Sequence, residues 1–144
     1  MFGNFKCPKN KHEIDRMKSV PYASAVGSIM YAQVCTRPDL TFTTGMLGRY
    51  QKNPGVEHWI AVKKTLRYLQ GTKSLMLANR KSNALEIVGY SDADMAGCRD
   101  TKKSTSGYIF TLAGGAISWK SSKQSIVASS TEYAEIIACY ETTG

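Results

Sequence analysis

The hydrophobic repeat of this chain changes at Gly71, and that change most restricts the folds open to it. Before Gly71 apolar residues recur at helical spacing, most clearly in 56–70, where they form one stripe and the basic residues lie off it. After Gly71 short β-rich runs alternate with turn residues, such as those at 80–83 and 113–115. The chain is therefore predicted to be α+β, with an N-terminal helical module followed by antiparallel strands and a helix.

Three segments follow from these patterns. Residues 1–20 are polar and charged and are predicted to be a linker or tail. Residues 21–73 are predicted to be helical, and residues 74–144 to form a strand-rich domain. Within them, helices are expected at 22–35, about 38–50, 56–70 and 132–141, and strands at 75–78, 85–92, 107–112, 116–119 and 125–128.

Two acids lie one residue apart at the end of an apolar run. Asp92 ends the strand predicted at 85–92 and Asp94 follows it, and alternation along a strand gives both side chains the same face. Adjacent carboxylates repel each other unless a cation or proton intervenes, and oxygen ligands suit Mg²⁺. An Asp that merely opens a loop is commoner than an Asp that binds a metal, so the D-x-D pattern alone is weak evidence for a metal site.

The last helix offers a further acid. The run 129–132, Ser-Ser-Thr-Glu, fits the S-x-x-E capping box and so explains Glu132 as a capping residue. Glu135, one turn further on, has no such role. It either faces the sheet, where it would need a partner or a metal, or lies on the solvated surface.

Charge is unevenly distributed along the chain. Residues 1–81 hold 14 Lys and Arg against 4 Asp and Glu, whereas residues 82–144 hold 5 against 7, within a net charge of +8. A basic half suits contact with a polyanion, although a solvated basic surface explains the charge equally well. The candidate phosphate-binding residues are Lys63, Lys64, Arg67, Lys73, Lys102 and Lys103.

The four cysteines are scattered and form no CxxC pair, which argues against a zinc site and for reduced thiols in an intracellular protein. The N-terminus lacks the apolar core of a signal peptide, and no apolar run approaches the roughly 20 residues that span a membrane. The chain is therefore expected in a cytoplasmic particle or the nucleus, neither secreted nor bound to a membrane.

Long strings of this sequence resemble a known family. The stretch 88–141, beginning VGYSDADMAGCRDTKKSTSGYIF and ending VASSTEYAEIIACYE, resembles the ribonuclease H domain of copia-type LTR-retrotransposon Pol polyproteins. The upstream strings VPYASAVGSIMYAQVCTRPDLTF and GRYQKNPGVEHWIAVKKTLRYLQGT resemble the end of their reverse transcriptase region. Met95 departs from the family, which usually has an aromatic residue there.

This resemblance implies a ribonuclease H-like fold with an acidic cluster that binds two Mg²⁺ ions and hydrolyses the RNA strand of an RNA–DNA hybrid. The family pattern makes Asp92 the first metal ligand and Glu135 the helix ligand, with Asp94 in support. It also places the third and fourth ribonuclease H carboxylates, and the polymerase's catalytic acids, outside this chain. The isolated chain is therefore expected to be catalytically inactive.

Two further expectations accompany this reading. In the family fold the first strand is central and pairs on one side with a strand that the resemblance places outside this chain. Without that neighbour, 85–92 is expected to be an exposed apolar edge that favours self-association. The competing hypothesis is a non-catalytic nucleic-acid-binding remnant, in which the basic residues hold phosphates without cleavage. A relic without a role stays open as a third reading.

Overall fold

The computed structural model describes residues 7–83, 85–98 and 100–143 of the 144-residue chain. These divide into two compact units, Met1–Met76 and Leu77–Gly144, close to the boundary predicted between 73 and 74. The first unit is helical, and the second holds a three-stranded sheet and one helix. The mixed α+β class predicted from the sequence is confirmed.

The first unit contains four helices and a 3-10 turn. Helix α1 (Lys11–Lys18) lies within the segment predicted as linker or tail, and forms because the Asn10 side chain accepts a hydrogen bond from the Glu13 amide at 2.9 Å. The other elements are α2 (Tyr22–Thr36), the 3-10 turn (Pro38–Leu40), α3 (Thr41–Gly48) and α4 (Val56–Gly71).

The core of this unit forms where α2, α3 and α4 meet. Residues Tyr22, Val26 and Ile29 recur at helical spacing on α2 and are fully buried with Leu47 and Val62. The Tyr22 hydroxyl donates to the Leu47 carbonyl at 2.9 Å. Burial, with smaller contributions from Cys7 and Tyr50, raises the pKa of Tyr22 to about 12.

The side chain of His58 caps the start of helix α4. The amide of Gly55 donates to Nδ1 of His58 at 2.9 Å, and the His58 ring stacks on Tyr50 with centroids 4.2 Å apart. His58 is fully buried. At the other end, α4 includes Gly71, which was predicted to lie just beyond the helix. The backbone amide of Thr72 caps the helix by donating to the Leu69 and Tyr68 carbonyls.

The second unit is an antiparallel sheet of order β1-β2-β3, covered on one face by a helix. Its strands are β1 (Ile87–Ala93), β2 (Thr105–Leu112) and β3 (Gly115–Lys123), and its helix is α5 (Thr131–Thr143). A bulge at Phe110/Thr111 interrupts the β2–β3 register. The fully buried Ala134 and Ala138 let α5 lie close to the sheet.

Two strand predictions are wrong. Residues 75–78 and 125–128, apolar except for Ser125, lie outside the sheet, and Leu75, Met76, Ile126 and Val127 are exposed. A strand requires a neighbour to receive its backbone hydrogen bonds, which a short apolar run cannot supply. By contrast β3 extends through the polar residues 120–123 because β2 pairs with them.

The start of α5 also differs from prediction. Its cap is Ser130, whose hydroxyl accepts a hydrogen bond from the Tyr133 amide at 3.1 Å, rather than Ser129 paired with Glu132. Both serines offer a cap in the sequence, and the cap lies one residue later than the S-x-x-E pattern suggested. Glu132 is exposed and has no capping hydrogen bond among those described.

Candidate functional site

Asp92 lies one residue before the end of β1, opposite Gly107 of β2, with its side chain exposed. The neighbouring residue, Ser91, contacts α5 through a 3.2 Å approach of its Oγ to Sγ of Cys139. Because side chains alternate along a strand, Asp92 faces away from the α5 side of the sheet. Its carboxylate is therefore open to solvent at the end of the strand.

Glu135 lies on the part of α5 that runs beside this strand end. Two contacts fix that part of the helix, Ser91 with Cys139 and the Gln124 side chain with the Ala134 carbonyl. Glu135 lies between them in sequence and is half-buried. The fold therefore brings the two predicted ligands onto adjoining elements at the same end of β1, on different sides of the sheet.

Asp94 closes the loop that follows β1. Its Oδ1 accepts a hydrogen bond from the Thr105 amide at 2.6 Å, and its own amide donates to the Thr105 carbonyl at 3.1 Å. Its Oδ2 lies against Gly97, where a β-carbon would overlap it. This carboxylate therefore holds the loop, and only one of its oxygens is left for a metal.

The predicted metal ligands are carboxylates, which suit Mg²⁺, but there are few of them. Within residues 7–83, 85–98 and 100–143, no three His, Cys, Asp or Glu side chains form a group that could hold a metal ion. Mg²⁺ keeps several waters and accepts as few as one or two carboxylates, so Asp92 and Glu135 are suitable donor types for a hydrated ion, although they lie on different sides of the sheet. Two ions would require more ligands than these.

The loop 95–104 carries basic residues on a strained backbone. Ala96 and Lys102 adopt φ of 51° and 55°, a left-handed conformation that non-glycine residues rarely take. The Lys102 amide donates to the Cys98 carbonyl at 2.7 Å, and the Lys103 ammonium donates to the Ser125 carbonyl. Lys102 is exposed, whereas Lys103 is tied to the loop after β3.

Cys98 is a buried residue of this loop. Burial raises the pKa of its thiol, but hydrogen bonds from Thr101 and the backbone of Asp100, with the charge of Lys123, outweigh it and lower the pKa below its usual range. The loop is thus a compact, positively biased segment beside the acidic strand end.

The other predicted phosphate-binding residues belong to the first unit. Lys63, Lys64 and Arg67 are exposed on α4, off the stripe that carries buried Val62, and Lys73 is exposed just after the helix. Spacings of three and four residues give Lys63, Lys64 and Arg67 a common face of the helix. They form one cationic surface, called here the α4 basic face.

Sequence reasoning missed an ion pair in the first unit between the buried Arg37 and the exposed Asp39. The Arg37 guanidinium donates twice to Asp39, at 3.0 and 2.7 Å, and to the Thr72 hydroxyl at 2.7 Å. The Tyr68 hydroxyl donates to the same Asp39 carboxylate at 2.8 Å. In the prediction of helices at 22–35 and about 38–50, the string TRPDL at residues 36–40 had no role beyond the break between them. Its Arg and Asp, two residues apart around a proline, were the available signal.

The charges in this network shift one another's pKa. The hydrogen bond from Arg37 holds the pKa of Asp39 below its usual value against the opposing effect of burial. The hydrogen bond to Asp39 raises the pKa of Arg37, and likewise that of Tyr68. The network joins the turn after α2 to the end of α4 and has a structural role.

Comparison with known proteins identifies the family. The chain is 54% identical over 136 residues to the retrovirus-related Pol polyprotein from transposon TNT 1-94 of Nicotiana tabacum, a match covering 94% of this chain. It is 49% identical over 127 residues to secreted RxLR effector protein 161 of Plasmopara viticola, of which it covers 89%. The chain is homologous to a segment of the retrovirus-related Pol polyproteins of copia-type retrotransposons. No family model matches it, and no solved structure matches it significantly.

The match to the polyproteins is local. The chain spans 10% of the length of the tobacco polyprotein, and 8% of the Pol polyprotein from transposon RE2 of Arabidopsis thaliana, to which it is 46% identical over 112 residues. None of the helices in the described ranges is both long and apolar enough to span a bilayer. The homology is thus to a segment of Pol.

Proposed function

We propose that this chain is the part of a Pol polyprotein in which the reverse transcriptase region ends and the ribonuclease H domain begins. In this proposal Asp92 and Glu135 are ligands for Mg²⁺. The observation that carries it is the seating of α5 beside the end of β1, which puts an acid from each element at the same end of that strand. The family strings around both acids support the same assignment.

The parent activity in this proposal is reverse transcription with hydrolysis of the RNA strand of RNA–DNA hybrids. Bound Mg²⁺ supplies activation of water and stabilisation of the leaving oxygen. Asp92, exposed at the strand end, offers an accessible carboxylate, and half-buried Glu135 offers one on α5. Asp94 holds the loop with one oxygen. Alone, this chain binds a single ion weakly and does not cleave.

Mg²⁺ titration of the chain, followed by amide chemical shifts, tests the metal site. We expect saturable shifts around residues 91–94 and 134–136 with millimolar affinity, weakened about tenfold or more by Asp92→Asn or Glu135→Gln because each removes one of few ligands. Glu141→Gln, an exposed acid in the last turn of the same helix, is the matched control and should leave the affinity unchanged.

A cleavage assay on an RNA–DNA hybrid tests the inactivity of the isolated chain. No Mg²⁺-dependent product is expected from pure protein, since two-metal hydrolysis needs more carboxylates than Asp92 and Glu135 provide. Cleavage that Asp92→Asn abolishes and Glu141→Gln spares would show instead that this chain is an enzyme by itself.

The α4 basic face favours a second candidate function, nucleic-acid binding without cleavage. Exposed lysines and arginine on one helix face release counterions when they meet phosphates, so affinity should fall as salt rises. We expect Lys63→Glu with Lys64→Glu to weaken binding of a hybrid duplex and flatten its salt dependence. Lys52→Glu, an exposed lysine outside that face, should do neither. An affinity that does not fall as the salt concentration rises would contradict this function.

An intracellular site of action, in a cytoplasmic particle or the nucleus, belongs to the same proposal. Reverse transcription uses RNA and DNA substrates found there, and the scattered cysteines suit a reducing compartment. The related RxLR effector is named as secreted, which describes that protein. Fractionation of cells expressing the tagged chain should recover it inside them, and recovery mainly from the medium would refute this location.

A further inference from the structure

Gln124 is a buried polar residue at the junction between the sheet and α5. It comes directly after β3, its amide donates to the Ser104 carbonyl at 2.9 Å, and its side chain is only 1% exposed. Ser104 and Ser106 beside it are also buried. A side-chain amide in such surroundings is unfavourable unless its hydrogen bonds are made.

The bonds that Gln124 makes join the two acidic elements. Its Nε2 donates to Oγ of Ser106 at 3.0 Å and to the Ala134 carbonyl at 2.9 Å. Ser106 is the cross-strand partner of Ala93, the residue after Asp92. Ala134 directly precedes Glu135. One amide group therefore ties the α5 turn that carries Glu135 to the strand paired with the Asp92 end of β1.

The side-chain carbonyl oxygen of Gln124 shows that packing alone does not explain why a glutamine occupies this position. Its Oε1 is buried and accepts no hydrogen bond from the described protein atoms. An unbonded buried acceptor is unfavourable, and an apolar side chain of similar volume would avoid that penalty. The two Nε2 bonds are what glutamine adds here over methionine.

We propose that Gln124 is a positioning residue that holds the first turns of α5 against the end of β1 and thereby sets Glu135 relative to Asp92. The metal-binding consequence rests on the proposed function, whereas the anchoring of α5 does not. Gln124 itself lies beneath the helix and is not a ligand. Its effect on Mg²⁺ passes through the backbone neighbours of the two carboxylates.

Gln124→Met is the discriminating variant because it preserves volume and removes both donors. Thr111→Val is the matched control: it removes a side-chain hydrogen bond between β2 and β1, from Thr111 Oγ1 to the Val88 carbonyl at 3.3 Å, away from α5. Two quantities are measured on the full chain, amide hydrogen exchange by NMR and Mg²⁺ affinity by shift titration.

In Gln124→Met we expect the amides of residues 134–138 to exchange about fivefold faster relative to those of β2 and β3. Thr111→Val should produce no such selective change. Mg²⁺ affinity should fall roughly threefold to tenfold in Gln124→Met and stay unchanged in Thr111→Val, as for loss of an outer support of a metal site.

The outcomes separate the two claims. Exchange that rises equally in α5 and the strands overturns the anchoring role, whatever Mg²⁺ does. Selective loosening of α5 with unchanged Mg²⁺ affinity overturns the positioning of Glu135. If the unmodified chain shows no Asp92-dependent Mg²⁺ binding, the proposed metal site fails, and the exchange data alone still decide whether Gln124 anchors α5.

Discussion

At the scale of single residues, the acids of this chain fall into two kinds. Asp39 and Asp94 accept hydrogen bonds from Arg37 and the Thr105 amide, respectively, and so hold the backbone in place. Asp92 is exposed at a strand end and has no protein partner in the hydrogen bonds and ion pairs described for residues 85–98. A carboxylate that stabilises nothing in the fold is the better candidate for a ligand.

Asp39→Asn tests the ion pair between Arg37 and Asp39. We expect loss of about 1–2 kcal/mol of unfolding free energy at neutral pH, since hydrogen bonds to a charged group contribute this much and partial solvent exposure limits the effect. Urea denaturation measures it. Asp15→Asn, which removes an exposed pair with Lys18, should change stability by no more than about 0.5 kcal/mol.

The same variant should show a defined pH dependence. Folding depresses the pKa of Asp39, so its contribution is complete above the unfolded value of about 4 and is lost as pH falls through the lower folded value. The stability difference between the unmodified chain and Asp39→Asn should therefore shrink below about pH 4. A difference that grows on acidification would contradict the assignment.

At the scale of elements, side-chain hydrogen bonds fix the loop after β1 and the start of α5 in the second unit. The loop 95–104 is held by Asp94 at one end and by the Ala96 amide donating to Ser104 Oγ at 3.1 Å. α5 starts at a serine cap and is secured beneath by Gln124. Each of these contacts is a side chain bonded to backbone, which periodicity does not reveal.

The cap of α5 is tested by a pair of serine variants. Ser130→Ala should lower the unfolding free energy of the second unit by about 1 kcal/mol, because it leaves the Tyr133 amide without its acceptor. Ser129→Ala should change it by only a few tenths of a kcal/mol. Thermal or urea unfolding measures both, and the reverse order of effects would restore the capping box predicted from the sequence.

Gly97→Ala tests the loop that Asp94 closes. The new β-carbon would overlap Oδ2 of Asp94, and we expect about 1–3 kcal/mol of destabilisation with loss of the Asp94–Thr105 bond. Gly71→Ala, in open space on α4, should instead be neutral or stabilise by up to about 1 kcal/mol. Equal stability of the two variants would show that the loop shifts freely.

At the scale of the whole molecule, β1 is an edge strand of the described sheet. It pairs with β2 on one side only, and Ile87 and Tyr90 on it are 64% and 61% exposed. Unpaired backbone groups beside apolar side chains favour addition of a further strand. The self-association predicted from the sequence is thus consistent with this edge and stays a prediction.

Ile87→Lys tests association through this edge. A lysine on an edge strand disfavours strand addition, so we expect the weight-average mass at high concentration to fall toward that of the monomer. Sedimentation or light scattering measures it. Met76→Lys, which adds the same charge at a residue 83% exposed outside the sheet, is the control. An equal effect of both variants would attribute association to net charge.

The sequence by itself determined the α+β class, the positions of α2, α4 and α5, the cores of all three strands and the homology to Pol polyproteins, because periodicity and long shared strings are local properties. Tertiary structure alone decided that 75–78 and 125–128 are not strands, that Ser130 caps α5 and that Gln124 ties α5 to the sheet. The pairing of Arg37 with Asp39 and Thr72 was decided there too. These depend on which groups meet across the fold, since a hydrogen bond or a strand requires a partner that distant parts of the chain supply.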